Sequence, residues 1–372
     1  MMRNIQSVSV MYHGRKVGTL SMGSRSACQF EYDKNWLADG FSISPLKLPL
    51  KAGLFTADYM PFKGNFGIFE DSLPGGYGEY LLRKILSRSG IDCKNMTPVQ
   101  WLSIVGSSGM GALCYVPETK LQQEETRLTL DEMQKTALDV LSEETDLHAN
   151  ELYFRSGNSG GVRPKCLYTD AEGHWLVKFR HTYDPKNMGE IEFHYNDMAR
   201  RCGIDVPDFK LVDGKYFATR RFDIERLRVG DGTSGMDGIR LHVATASALL
   251  NEPISPPKMD YHSLLQLTGF LTQSPEAVEQ QFRRMAFNVY AENYDDHARN
   301  FSFICRNGKW TLAPAYDLTN DNTLGEHAST INYKGIPTDE DLIAVGTNIR
   351  MTRQRCRQIM DEVKNIIRTK RI

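Results

Sequence analysis

Along this chain the apolar positions change period several times, and each change marks an element. Val8, Val10 and Tyr12 alternate with polar residues, His13-Gly14-Arg15 turns the chain, and Lys16-Val17-Gly18-Thr19-Leu20 returns it as a hairpin. Leu81, Leu82, Ile85 and Leu86 share one helical face between Tyr77 and Ser89, and Gly90 stops that helix. From Glu124 to Asn150 the pattern is acidic and helical, with Met133, Ala137, Val140 and Leu141 as its stripe. Trp175, Val177 and Phe179 alternate with Lys178, as in a strand with one apolar face. Met188 to Cys202 predicts a helix with Ile191, Tyr195, Met198, Ala199 and Cys202 inward and Glu192 on the stripe's edge. Residues 232–295 read as helical, with apolar clusters at 241–250, 264–271 and 284–290. Phe301 to Ile304, the turn Asn307-Gly308 and Trp310 to Ala313 form a second hairpin. A last amphipathic helix runs from Thr352 to Arg368, with Cys356, Ile359, Met360, Val363, Ile366 and Ile367 inward.

These segments group into a small domain over 1–120, a helical connector over 121–150, a mixed strand–helix region over 151–225 and a mainly helical region over 226–372. Composition adds little to that picture. Apolar content of 41% and charged content of 24% are ordinary for a globular protein, and a net charge of −1 gives no overall pull toward nucleic acid. Seven scattered cysteines, never spaced C-x-x-C, argue against a disulfide framework or zinc site and for a reducing, cytoplasmic setting. No signal-peptide core is present, and no run approaches the ~18 apolar residues of a membrane span. From Arg350 to Ile372 there are eight Lys/Arg against two acidic residues. That excess reads as a solvated helix face or, alternatively, as a contact to DNA phosphates made beside a partner.

The chemistry concentrates at Asp295-Asp296-His297-Ala298-Arg299-Asn300 and at Asp317, one hairpin later. Phosphoryl transfer uses this spacing in protein kinases: an Asp takes the hydroxyl proton, an Asn five residues on holds a metal, and a later Asp holds metal against the phosphates of ATP. Asp295 is the expected base because it alone has that interval to Asn300, and Asp296 is the competing choice. Asn300 and Asp317 would supply oxygen ligands to Mg²⁺. His297 would lie near the nucleotide or brace the loop. Upstream, Ser156 to Lys165 contains Ser159-Gly160-Gly161, a turn whose amides could approach phosphates but which alone is more often a plain loop. Lys178 could reach the phosphates, with Lys165 as the other candidate, and Glu192 could pair with Lys178 or simply be solvated. The order of glycine loop, lysine strand, glutamate helix, Asp-x-x-x-x-Asn, hairpin and Asp strengthens each part.

Several segments together resemble the HipA family of serine/threonine kinases, the toxins of HipBA-type modules. Asp295 to Ser302 is similar to the family's D-x-H-x-[KR]-N-x-S, Pro314 to Leu318 to its P-x-Y-D-[IL], and Ser159 to Lys165 to one form of its glycine loop. Arg221-Phe222-Asp223 and Gly111 to Glu118 resemble its R-F-D and G-A-L-x-x-x-P-E segments. The resemblance covers nearly the whole chain. It implies an α+β, two-lobed protein-kinase-like fold: an N-lobe with an extra N-terminal α/β subdomain over an all-helical C-lobe. It further implies ATP contacts from Lys178 and Thr219 to Phe222, Arg221 included, with Tyr316 and His297 nearby. The implied partners are a HipB-like helix-turn-helix antitoxin, through which alone DNA is met, and a protein substrate such as an aminoacyl-tRNA synthetase. Asp296 departs from the family, where many members have Gly, and the regulatory loop serine falls at or near Asn158. Two other readings compete: a weak kinase fold kept as a binding module or corepressor, and an enzyme acting on a small-molecule hydroxyl, decided by Leu318 to Pro337.

Overall fold

In the computed structural model, residues 5–121, 128–145, 148–156, 160–226, 238–320 and 325–369 are described. Their contacts sort them into two compact units, one of residues 1–189 and 210–243, the other of 190–209 and 244–372. The chain therefore passes from one unit to the other three times.

The first unit holds two main sheets. Strands β1 (Ser7–Tyr12), β2 (Arg15–Met22), β3 (Cys28–Tyr32), β4 (Leu54–Thr56) and β5 (Leu113–Val116) form a five-stranded sheet in the order β4-β3-β2-β1-β5. The expected first hairpin is present: His13 and Gly14 both take positive φ, the backbone that a two-residue hairpin turn requires. The second sheet, in the order β6-β7-β9-β8, is built from β6 (Lys165–Asp170), β7 (Gly173–Lys178), β8 (Phe209–Val212) and β9 (Tyr216–Arg220). Its inner residues Trp175, Val177 and Ala218 are buried in one apolar cluster with the helices Gly76–Arg88, Leu130–Leu141 and Ala149–Ser156. Leu152, Tyr153 and Phe154 thus belong to a helix that leads into the glycine loop. A short ribbon of β10 (Ile224–Arg226) and β11 (Gly238–Arg240) follows.

The second unit is mainly helical but not all-helical, which corrects the expectation for the C-terminal region. Its helices include Ala246–Leu250, Tyr261–Thr272, Pro275–Tyr290, Asp339–Asn348 and Arg353–Arg368. Between them lies the hairpin of β13 (Ser302–Arg306) and β14 (Lys309–Leu312), the second and third strands of a sheet in the order β12-β13-β14 whose first strand, β12 (His242–Thr245), spans the point where the chain enters this unit. The apolar run at 241–250 is therefore half strand and half helix. Val243 and Thr245 are β-branched and favour the strand, while Thr245 then caps the helix through its side chain. The helix Met188–Arg201 also turns a different face inward than its apolar spacing predicts: Met188, Glu192, Asn196 and Ala199 are buried, whereas Ile191, Tyr195 and Met198 are half-buried.

Three basic residues of the last helix are paired inside the second unit. Arg353 pairs with Glu340, Arg355 with Glu279, and Lys364 with Asp339. No described helix is long and apolar enough to cross a membrane.

Asp170 organises the β6–β7 turn. Its carboxylate accepts from the amides of Glu172 and Gly173 (2.9 and 3.1 Å), the Trp175 indole (2.8 Å) and the Lys210 ammonium (2.5 Å). Burial raises its pKa, but these donors outweigh burial and push it down to about 2. The folded state therefore binds this proton less tightly than the unfolded chain. Its contribution to stability is complete above the ordinary carboxylate range and is lost as pH falls toward about 2. Acid titration of the urea midpoint should show a fall between about pH 4 and 2 that is smaller in Asp170→Asn; identical acid slopes would refute the assignment.

Candidate functional site

The helix Pro275–Tyr290 ends at Ala291, and Glu292 with φ 57° swings the chain into the segment that carries Asp295 to Asn300. A single 3-10 turn, Ala298–Asn300, then leads into β13. Asn300 donates its Nδ2 to the Asp295 carbonyl at 2.8 Å, so the two predicted residues are locked to each other. With the amide N–H committed, Oδ1 is the atom Asn300 offers to a cation. The Asp295 side chain is 38% exposed, and its Oδ1 lies 3.8 Å from His297 Nε2, beyond hydrogen-bond length. Burial lowers the His297 pKa, with the charge of Asp317 acting against it. Its Nδ1 is buried without a hydrogen-bond partner.

The neighbouring carboxylate has a different task. Asp296 is 1% exposed. Its Oδ2 accepts from the Tyr261 hydroxyl (2.8 Å) and lies 3.0 Å from His327 Nδ1, its Oδ1 accepts from the Ser329 amide (3.1 Å), and its carbonyl accepts from the Ser329 hydroxyl (2.6 Å). Tyr261 in turn accepts from Asn288, which accepts from Asn293. A carboxylate with its lone pairs so occupied has little capacity left to take a proton from a substrate. Of the two candidates, Asp295 keeps the more exposed carboxylate, and Asp296 is an anchor for residues 327–329.

The β13–β14 hairpin returns the chain to this place. Asn307 and Gly308 take the positive φ angles of its turn. Tyr316 donates to the Arg299 carbonyl at 2.7 Å; its single proton thus spent, it accepts from the Ser302 hydroxyl at 2.6 Å. Asp317 follows with φ 57°, a left-handed conformation that Asp tolerates better than most residues. Asn300, Tyr316 and Asp317 line one cavity together with Arg284, Asn293 and Asp296. It is narrow, about 10 Å³, room for an ion or a water and not for a nucleotide.

Arg284 was not anticipated. Burial lowers its pKa to about 10, so it is charged at neutral pH, and it donates to the Ala313 carbonyl at 2.7 Å. Its signal in the sequence is a charge at the head of the apolar cluster 284–290. Among the described residues no three His, Cys, Asp or Glu side chains could hold a metal by themselves. One carboxylate and one amide oxygen do fit Mg²⁺, which keeps several waters and binds through one or two carboxylates plus phosphate oxygens.

The other predicted residues belong to the first unit. Ser159 lies outside the described residues. The carbonyl of Gly160 accepts from Lys165 Nζ, and that of Gly161 accepts from the Tyr77 amide at 3.0 Å. Lys165 and Lys178 are directly opposite across β6 and β7, hence on one face of the sheet. Two like charges so placed repel, and an anion between them would relieve that repulsion. Arg221 is bidentate to Asp223 (2.9 and 2.7 Å), and Asp223 also accepts from the Gly111 amide at 3.0 Å. Burial opposes ionisation of Asp223, but Arg221 and these bonds hold its pKa below the ordinary range. The Arg221 side chain thus braces the N-terminal segment, and Phe222 beside it is half-buried.

Two family models match the chain: "HipA N-terminal domain" over residues 8–116 and "HipA-like C-terminal domain" over residues 157–370. A curated Sinorhizobium fredii protein named "Putative kinase Y4dM" is 27% identical over 205 residues, 48% of this chain and 46% of that protein. The match thus spans about half of either chain. The HipA structure from a Shewanella oneidensis MR-1 toxin–antitoxin complex of HipA, HipB and operator DNA aligns with 97% of this chain and 89% of its own, at TM-score 0.71 and 18% identity. That likeness is one of fold. A Helicobacter pylori proinflammatory kinase, CtkA, aligns with 55% of this chain and 87% of its own at TM-score 0.36 and 16% identity, too low to bear on the argument.

The two adjacent carboxylates should separate cleanly on mutation. Asp296→Ala is expected to cost about 3 kcal/mol in urea unfolding because it strands buried donors. Asp295→Asn should change stability by less than ~0.5 kcal/mol. Equal losses would contradict the anchor role of Asp296.

Proposed function

The chain belongs to the HipA family, and from that membership we propose that it is an ATP-dependent protein serine/threonine kinase, the toxin of a toxin–antitoxin pair. The observation that carries the reading is the shared cavity of Asn300, Tyr316 and Asp317, with Asn300 tied to Asp295. In this reading Asp295, the more exposed carboxylate, accepts the proton of the attacking hydroxyl. Asn300 and Asp317 would hold Mg²⁺, which when bound neutralises charge on the phosphates. Lys178, with Lys165 opposite, supplies positive charge for the phosphates, and the amides of the glycine loop around Gly160 and Gly161 add donors. His297 and Tyr316 shape the metal side of the site. Arg221 is engaged by Asp223, so a nucleotide contact in that segment falls to its backbone and to Phe222.

The proposed partner is a small helix-turn-helix protein of HipB type, by analogy with the complex from which the Shewanella structure comes. DNA would be met through that partner, since Arg353, Arg355 and Lys364 in the last helix are already paired internally. The proposed substrate is a protein of the translation machinery, with aminoacyl-tRNA synthetases as the class to try first.

Transfer of labelled γ-phosphate to protein should vanish in Asp295→Asn and in Asp317→Ala while both variants keep the wild-type melting curve. Full labelling by either would rule out its assigned role. ATP affinity by calorimetry should drop when magnesium is chelated, and equal affinity with and without chelator would count against Asn300 and Asp317 as metal ligands. Lys178→Ala should weaken ATP binding about 10- to 100-fold, the worth of one charged hydrogen bond; an unchanged affinity would shift the role to Lys165.

A further inference from the structure

The helix Gly76–Arg88 begins on Gly75, and no side chain caps it. The first amides of a helix have no acceptor within it. One of them, the Tyr77 N–H, donates to the Gly161 carbonyl at 3.0 Å. Gly76 has φ +50°, and a Cβ added there would lie 2.3 Å from the Gly161 oxygen and 2.6 Å from its carbonyl carbon. Only glycine permits that approach of two backbones. The peptide after Gly161 is planar and trans, so holding its C=O toward the helix turns the Val162 N–H the opposite way. The segment entering the loop leans on the same helix: Ala149, Leu152 and Tyr153 share an apolar cluster with Tyr77, Leu81 and Ile85. The segment leaving the loop is braced by Arg163, bidentate to Asp184 at 2.9 and 3.1 Å.

We propose that Gly75-Gly76-Tyr77 is a positioning element for the nucleotide loop, so that the N-terminal domain takes part in ATP binding without touching ATP. This rests on the reading of the glycine loop as a phosphate cradle. The start of the helix fixes the plane of the Gly161–Val162 peptide, and the Val162 amide is thereby set before the nucleotide arrives.

Gly90, at the other end of the same helix, provides the control. It has φ +71°, and a Cβ there meets nothing within 4 Å. Gly76→Ala and Gly90→Ala therefore impose similar backbone strain, but only the first presses on the loop. Calorimetry with ATP and magnesium on the full chain should show about tenfold weaker binding for Gly76→Ala, ~1.4 kcal/mol, and wild-type affinity for Gly90→Ala. Equal weakening in both variants, or none in either, overturns the proposal. A wild-type chain that binds no ATP overturns instead the nucleotide reading on which it stands. Hydrogen exchange on the wild-type chain gives a measurement independent of how the variants fold. The Tyr77 amide should exchange slowly, although first-turn amides ordinarily exchange fast; rapid exchange there overturns the proposal.

Discussion

A carboxylate sealed from water needs donors for its lone pairs, and Asp296 finds them by drawing two separate segments onto itself. Tyr261 comes from one helix, His327 and Ser329 from the stretch that starts at residue 325. The relay continues through Asn288 to Asn293, at the start of the segment that carries Asp295 and Asn300. The backbone at 293–300 is thereby given its course, and the course determines where Asp295 and Asn300 stand. The buried carboxylate thus fixes the position of its more exposed neighbour and of Asn300.

Much of this was legible in the sequence. The β13–β14 hairpin announces itself through Asn307-Gly308, because few other pairs accept two consecutive positive φ angles. The interval between Asp295 and Asn300 marked both as candidates for one site, and a 2.8 Å hydrogen bond from the Asn300 amide to the Asp295 carbonyl joins them. Other features were hidden for definable reasons. Asp296 and Asp295 are identical in type and adjacent, so no pattern distinguishes an exposed carboxylate from a buried one. The inward face of Met188–Arg201 carries Glu192 and Asn196, which an apolar-stripe reading assigns to the edge or the outside. The strand at 242–245 was absorbed into a helical run because its partner, β13, lies far along the chain. Pairing at such a distance leaves no local signature.

The first unit makes a similar point about motifs. Arg221-Phe222-Asp223 marks a segment next to the proposed nucleotide, yet its two charged side chains are bound to each other and to the amide of Gly111. The motif is at least partly a fastening. Lys165 and Lys178 are the converse case: rival candidates in the sequence, they become a pair once the β6–β7 register places them opposite each other.

The boundary between the two compact units is crossed at residues 189–190, 209–210 and 243–244, and the family match at 157–370 begins well inside the first unit. Neither unit is a continuous piece of polypeptide. A single break of the chain within residues 190–243 would leave both products with parts of both units and neither unit whole. For an N-terminal fragment emerging from the ribosome, the first unit stays incomplete until residue 243 has been added. The long middle of the chain must therefore be translated before the amino-terminal half can close.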